Sequence, residues 1–285
     1  MSHTSPNQPG SNLPICISQN IRGLALTNKH ARPFSNDGRW LSLSAIAAEA
    51  DIVSLSETQV EEAGFASHAF SPFGKRLKPM SYSSAGKGTG LYVFINPCSV
   101  KNYSAVVLER GRLLRVNFDF NEEAFCFYAL YLSSSNPTLR LNSIATLSAD
   151  LNAQINFFYT ENKSPNFILA GDLNLRLTDS NDPASTAFLS AAQSACLVDI
   201  HQRLGVSEPT RMGDGLRSAH SSTIDYIFVS DFLQYKLAQT TFTAQSDHAV
   251  LSISPAPPQR PPPPFPNPTH LSSKTPNSPN RPRLR

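Results

Sequence analysis

Phe167-Ile168-Leu169-Ala170-Gly171-Asp172-Leu173-Asn174 is the stretch on which the fold turns. Four apolar residues in a row read as a buried strand, and the glycine marks where that strand ends. Asp172 and Asn174, two residues apart, then emerge side by side at the strand's mouth. Open α/β architectures place ligand chemistry there. Strand-end Asp and Asn also make Asx turns, so the motif gains meaning only through partners elsewhere in the chain.

Segments of strand and helix character lie on both sides of it. Upstream, a strand over 13–19 ends at Asn20, and a helix-like stretch over 39–50 follows Asp37. A strand over 51–56 ends at Glu57, and further strands are expected over 89–95, 113–120 and 125–132, the last containing Tyr131. Asn136-Pro137 supplies an N-cap and a first-turn proline. The helix behind it carries Leu141, Ile144, Leu147, Leu151, Ile155 and Phe158 at steps of three or four, one apolar stripe. Downstream, Asp182-Pro183 opens a helix over 184–195, and strands are expected over 223–229, 236–242 and 249–253. Strands dominate, helices stand singly, and no repeat period is visible. This pattern predicts one α/β sandwich over 13–254 with helices covering sheets. No G-x-G-x-x-G opens a helix after the first strand. Gly86-Lys87-Gly88-Thr89-Gly90 lacks Walker spacing and reads as a hairpin turn.

The 285 residues include 23 prolines, and twelve of these fall in 255–285. That segment has five basic residues and no acidic ones, and it reads as a disordered, partly polyproline-II tail. Removing those five from the 24 basic residues leaves 19 against 21 acidic, so the sequence pI of 8.7 belongs to the tail. Nucleic-acid affinity in the body would have to rest on local patches such as Lys75-Arg76-Lys78 and Arg110-Arg112-Arg115, and the tail would add a salt-sensitive increment. Cys16, Cys98, Cys126 and Cys196 show no C-x-x-C spacing and read as free thiols of a reducing compartment. Residues 1–12 are polar, without a signal-peptide core, and no run reaches membrane-spanning length. The expectation is an intracellular protein, nuclear or cytoplasmic, that is neither secreted nor membrane-bound.

Several polar residues sit at expected strand ends: Asn20, Glu57, Tyr131, Asp172, Asn174, Asp225 and the Ser246-Asp247-His248 triplet. Asp225 lies inside the apolar run Ile224-Asp225-Tyr226-Ile227-Phe228-Val229, an odd place for a carboxylate. A buried Asp is costly unless paired, and its natural partner is a histidine that it orients and charges. His248, with an acid before it and an apolar strand after it, is the candidate. Tyr128 and Tyr131 lie three apart and so face opposite sides of one strand. Tyr131 lies nearer the mouth.

In their order, Gln19-Asn20, Ser56-Glu57-Thr58, Tyr131, Gly171-Asp172-Leu173-Asn174, Ile224-Asp225-Tyr226 and Ser246-Asp247-His248 resemble the endonuclease/exonuclease/phosphatase superfamily. This is the group of exonuclease III, DNase I and the abasic-site endonucleases. Pro209-Thr210-Arg211 followed by Ser222-Thr223-Ile224-Asp225-Tyr226 is similar to endonuclease domains of non-LTR retrotransposons. The family usually places a proline soon after the tyrosine, whereas here Leu132-Ser133-Ser134-Ser135-Asn136 intervenes.

The resemblance implies a four-layer α/β/β/α sandwich of two mainly antiparallel sheets flanked by helices, with the site at one mouth between the sheets. It implies that Glu57 holds Mg²⁺ (Mn²⁺ a possible substitute), with Asn20 and Asp247 completing or supporting the oxygen shell. Asp172 would activate the water, and Asn174 would orient water or phosphate. Asp225 would hold His248 protonated, and Tyr131 would contact the phosphate or assist the leaving oxygen. The implied reaction is DNA nicking. A phosphatase or phosphodiesterase acting on inositol phosphates, lipid head groups or RNA shares the same residues, since substrate choice lies in surface loops. An inactive retroelement remnant, or a nucleic-acid-binding module, is the reading from another class.

Overall fold

The computed structural model describes residues 13–21, 45–58, 76–85, 89–212, 221–243 and 246–255. Segment 1–12, the tail beyond 255, Lys75, Gly86-Lys87-Gly88 and most of the helix-like stretch 39–50 lie outside the described residues. What is described of that stretch ends in a 3₁₀ turn, Ala47–Glu49.

Twelve strands form two six-stranded sheets. The first holds β1 (Cys16–Asn20), β2 (Ile52–Ser56), β3 (Lys78–Ser83), β4 (Leu91–Ile95), β11 (Leu237–Thr241) and β12 (Val250–Ser254), in spatial order β11-β12-β1-β2-β4-β3. The second holds β5 (Val100–Glu109), β6 (Leu113–Phe120), β7 (Glu123–Tyr131), β8 (Asn166–Asp172), β9 (Leu197–Asp199) and β10 (Asp225–Ser230), in order β5-β6-β7-β8-β10-β9. Each sheet contains one parallel pair, β1 with β2 and β7 with β8; the other pairs are antiparallel.

Alternation along the strands sorts the side chains into layers. Ile52, Val93 and Ile253 of one sheet meet Val116, Phe127, Ile168 and Ile227 of the other in the central core. On the far face of the second sheet, Tyr128, Phe167 and Leu169 pack under α1 (Pro137–Thr160) and α2 (Pro183–Ser194). On the far face of the first, Ile17, Val53 and Tyr92 pack with Ala47 and Ala50. β2 and β8 are buried along their whole length because both faces are covered.

The helix starts follow the sequence. Asn136 Oδ1 accepts from Leu139 N at 2.9 Å and Asp182 Oδ1 from Ala184 N at 2.9 Å, each cap followed by proline. Of the expected apolar stripe on α1, Ile144, Leu147, Leu151 and Phe158 are buried, whereas Leu141 is exposed. The short α3 (Ile200–Arg203), β3, β5 and β9 are elements the sequence does not announce. Among the described residues no helix is long and apolar enough to cross a membrane, and all four cysteines are free.

The Arg110-Arg112-Arg115 patch does not form. Arg115 is buried on the helix side, in an ion pair with Asp150 at 2.6 Å, and Arg112 lies over the Tyr131 ring at 5.7 Å. One-residue alternation and a turn send these arginines in different directions. Of the three, only Arg110 is exposed.

Gly171 of β8 has no room for a side chain beside β7. Its φ is +152°, and a Cβ there would stand 2.0 Å from Leu130 O, its register partner. We expect Gly171→Ala to cost about 1–3 kcal/mol through forced displacement of backbone, read as a fall in melting temperature of several degrees. An unchanged melt would show that β7 and β8 can separate freely.

Candidate active site

The site is assembled where the mouths of the two sheets meet. In the antiparallel register of β10 on β8, Asp225 stands directly opposite Asp172. In the parallel register of β7 on β8, Tyr131 stands opposite Asp172 from the other side. Strand pairing therefore lines up three expected residues before any side-chain contact is considered.

Asp172 is 1 % exposed and held from two directions. Asn20 Nδ2, at the end of β1 in the facing sheet, donates to its Oδ2 at 2.7 Å. The Asn174 backbone N–H donates to its Oδ1 at 2.8 Å, which is an Asx turn. The turn and the candidate base are thus one structure. Asn174 takes φ +48°, a conformation asparagine tolerates better than most residues, and its Nδ2 donates to Leu132 O at 2.9 Å. Glu57 also has positive φ, +51°, which for a glutamate is costly and draws attention to the place where β2 ends. Tyr131 Oη donates to Glu57 Oε1 at 2.5 Å. Tyr128 points the other way, to Asp150 Oδ2 at 2.8 Å, so the face assignment of the two tyrosines is as expected.

Asp225 and His248 form a buried dyad, 4 % and 2 % exposed, with His248 Nδ1 lying 2.9 Å from Asp225 Oδ2 and 3.1 Å from Oδ1. Thr210 Oγ donates to Asp225 Oδ2 at 2.8 Å while accepting from Ile224 N and Asp225 N at 3.0 Å each. The threonine fixes the carboxylate that fixes the histidine. In the sequence it appears only inside Pro209-Thr210-Arg211, and nothing in that tripeptide marks it as an orienting residue. Ser246 Oγ donates to Asn20 O at 3.0 Å and accepts from His248 N at 3.1 Å, tying the histidine's turn to the end of β1. Asp247, whose Oδ2 accepts from Arg211 Nε at 3.2 Å, is ion-paired at the edge of the group.

Electrostatics follow from burial. Desolvation pushes Asp172 up to about 8, the facing Asp225 carboxylate adds to the rise, and His248, Asn20 and the Asn174 N–H oppose it. Burial likewise raises Asp225, against its bonds to His248 and Thr210. For His248, burial lowers the pKa, but the Asp225 bond and charge, with Asp172 and Asp247, outweigh it, and the net shift is upward. Burial and the bond to Glu57 push the Tyr131 phenol upward, so it stays protonated and a donor near neutral pH.

Asp172, Asp225 and His248 bring ligand-capable atoms within 4.8 Å of one another. Because His248 Nδ1 is committed to Asp225, this trio is better described as a charge-orienting dyad beside a carboxylate than as a closed metal cage.

The sequence profile of the Endonuclease/Exonuclease/phosphatase family matches residues 17–248. No curated protein sequence matches the chain. Among solved structures, the fold is similar to an AP endonuclease from Leishmania major (19% identity, TM-score 0.64, covering 84% of this chain and 86% of that one). It is similar to a 3′ phosphatase from Neisseria bound to product DNA hairpin (12%, 0.63, 85% and 99%). It also resembles a mannosyl-6-phosphatase from Bacteroides thetaiotaomicron (16%, 0.58, 85% and 99%).

The upward shifts set the sign of a pH effect. An unfolded Asp titrates near about 4, so between there and about 8 the folded state holds a proton at Asp172 that the unfolded chain releases. In metal-free, chelator-containing buffer the Asp172 contribution to stability therefore falls as pH rises through that window. His248 adds in the same sense: its contribution is complete below the unfolded value of about 6.5 and is lost as pH rises through its raised value. Asp172→Asn cannot titrate, and urea unfolding at several pH values should show a flatter profile than the parent. Parallel profiles would contradict the assignment.

Proposed function

Since the chain belongs to the endonuclease/exonuclease/phosphatase family, we propose that it is a metal-dependent phosphodiesterase that nicks DNA in the manner of non-LTR retrotransposon endonuclease domains. The observation that carries this reading is the register that sets Asp172 opposite Asp225, with Asn20 across from Asp172 and His248 behind Asp225. It places a proton acceptor and an oriented imidazolium on the same small floor.

The donor set suits a hard cation. Asp172 and Asp225 stand against the single positive charge of His248, and Glu57, bonded to the Tyr131 that lies opposite Asp172, adds a third carboxylate at the same mouth, all oxygen donors of the kind a hard cation takes. Glu57 and Asn20 would hold Mg²⁺, or Mn²⁺ in its place, with Asp247 supporting from its ion pair with Arg211. When bound, the cation neutralises charge that develops on the phosphate.

The protein's own groups do the rest. Asp172, pinned by Asn20 and by the Asn174 N–H, accepts a proton from the attacking water. The water oxygen bonds to phosphorus as the bond to the leaving oxygen breaks. Raised to about 8, Asp172 is in its ionised form a stronger base than an ordinary aspartate, and the charge of a bound cation would favour that form. Asn174, its Nδ2 bonded to Leu132 O, orients the water through its Oδ1. Asp225 and Thr210 keep His248 protonated and aimed, and its Nε2–H donates to a non-bridging oxygen. Tyr131, a protonated phenol held by Glu57, contacts the phosphate or assists the leaving oxygen.

The same floor serves a phosphomonoester, and the folds similar to this one include phosphatases. Supercoiled plasmid with Mg²⁺ separates the readings. We expect conversion to the nicked circle, abolished by EDTA and reduced at least about 100-fold in Asp172→Ala and His248→Ala. Phosphate release from inositol phosphates without nicking would replace the nuclease by a phosphatase. DNA binding without turnover of either substrate would leave the inactive remnant.

A further inference from the structure

Arg140, at the end of the first turn of α1, reaches back over the mouths of β7 and β8. Its Nε donates to Ser133 O at 2.8 Å, its Nη2 to Ser134 O at 3.1 Å and its Nη1 to Asn174 O at 3.2 Å. Nη1 also lies 3.6 Å from Asp182 Oδ2, the carboxylate that caps α2. One guanidinium thus joins the loop that follows Tyr131, the turn that follows Asp172 and the start of α2. We propose that Arg140 is a positioning residue, which holds the left-handed Asn174 turn in place and so sets where the Asn174 carboxamide and the Asp172 carboxylate stand.

Three features of the structure support this. The paired register of β7 and β8 ends at Tyr131 and Asp172 and is closed by Leu132 N donating to Asp172 O at 2.9 Å, and the carbonyls of Ser133, Ser134 and Asn174 beyond it take their donors from Arg140. Arg140 supplies three, in the planar fork that a lysine cannot reproduce. Next, a cation in the first turn opposes the helix dipole, and α1 has no acidic residue there to offset it. Helix stability therefore does not account for an arginine at this position. Finally, the acceptor it holds most directly linked to the site is the carbonyl of Asn174, a residue at φ +48° whose N–H closes on Asp172 and whose Nδ2 closes on Leu132 O. Loss of the clamp leaves two short bonds to maintain that turn.

The inference rests on the nuclease reading for its kinetic test, and a second measurement frees it from that reading. In plasmid nicking, Arg140→Ala should lower kcat about 10- to 100-fold, the scale of a displaced catalytic group. Arg140→Lys should recover only a minor part of that loss. In the Asn174→Ala background the part of the Arg140→Ala loss that runs through the carboxamide disappears and the part that runs through Asp172 remains, so the two losses in kcat should be less than additive, while the effect on the melting temperature persists. Additive losses in kcat would overturn the proposal and leave Arg140 as a general support of α1. If the wild type nicks nothing, the nuclease reading fails, and side-chain amide exchange still decides this one. The Asn174 Nδ2 protons, identified by their disappearance in Asn174→Ala, should exchange faster in Arg140→Ala than in the parent. Equal exchange would reject the clamp.

Discussion

Two carboxylates face each other across β8 and β10 with almost no exposure to water, and most of the site can be understood as the answer to that placement. Like charges at neighbouring register positions in a low-dielectric interior cannot both ionise without help. Asp225 obtains help from His248 and Thr210, which hold it as one half of an ion pair. Asp172 obtains less, from an amide and a backbone N–H, and its proton is correspondingly hard to remove. The asymmetry favours the roles proposed for them. The well-compensated carboxylate orients, and the poorly compensated one is left to exchange a proton.

That asymmetry depends on elements far apart in sequence. Asn20 comes from β1, Glu57 from the end of β2, Tyr131 from β7 and His248 from the approach to β12. The second sheet supplies Asp172 and Asp225, and the first, with the segment that leads into β12, supplies Asn20 and His248, which answer them. The apolar core between the sheets determines their separation, so packing of residues such as Val116 and Ile168 bears on a hydrogen bond between Asn20 and Asp172 that neither touches.

Strands bounded by turn residues and built on clean alternation were readable from the sequence. β6 has the expected limits, 113–120, since Gly111-Arg112 precedes it and Asn121-Glu122 follows. β5 was not, because an edge strand running through Lys101, Asn102 and Ser104 exposes polar residues on both faces and carries two register shifts. β3, with Pro79 inside it, is hidden for a related reason. Among the site residues, those carrying chemical groups in recognisable company could be named, and the structure brings Asn20, Tyr131, Asp172, Asn174, Asp225 and His248 together. Thr210 and Arg140 could not, because their significance lies wholly in what they touch. Asp247 occupies the neighbourhood expected of it but is turned to Arg211, a partner outside the motif that carries it.

β1 lies between β2 and β12, so the first described strand of the chain and the last are hydrogen-bonded neighbours. The Ser246 bridge then places His248 against the carbonyl of Asn20. On a ribosome, everything up to the acid at 225 can be extruded and still lack the imidazole and the strand that carries the sheet past β1. The proposed site is therefore among the last parts of the described fold to be completed, and a product interrupted before His248 lacks the imidazole that pairs with Asp225 whatever it retains of the core.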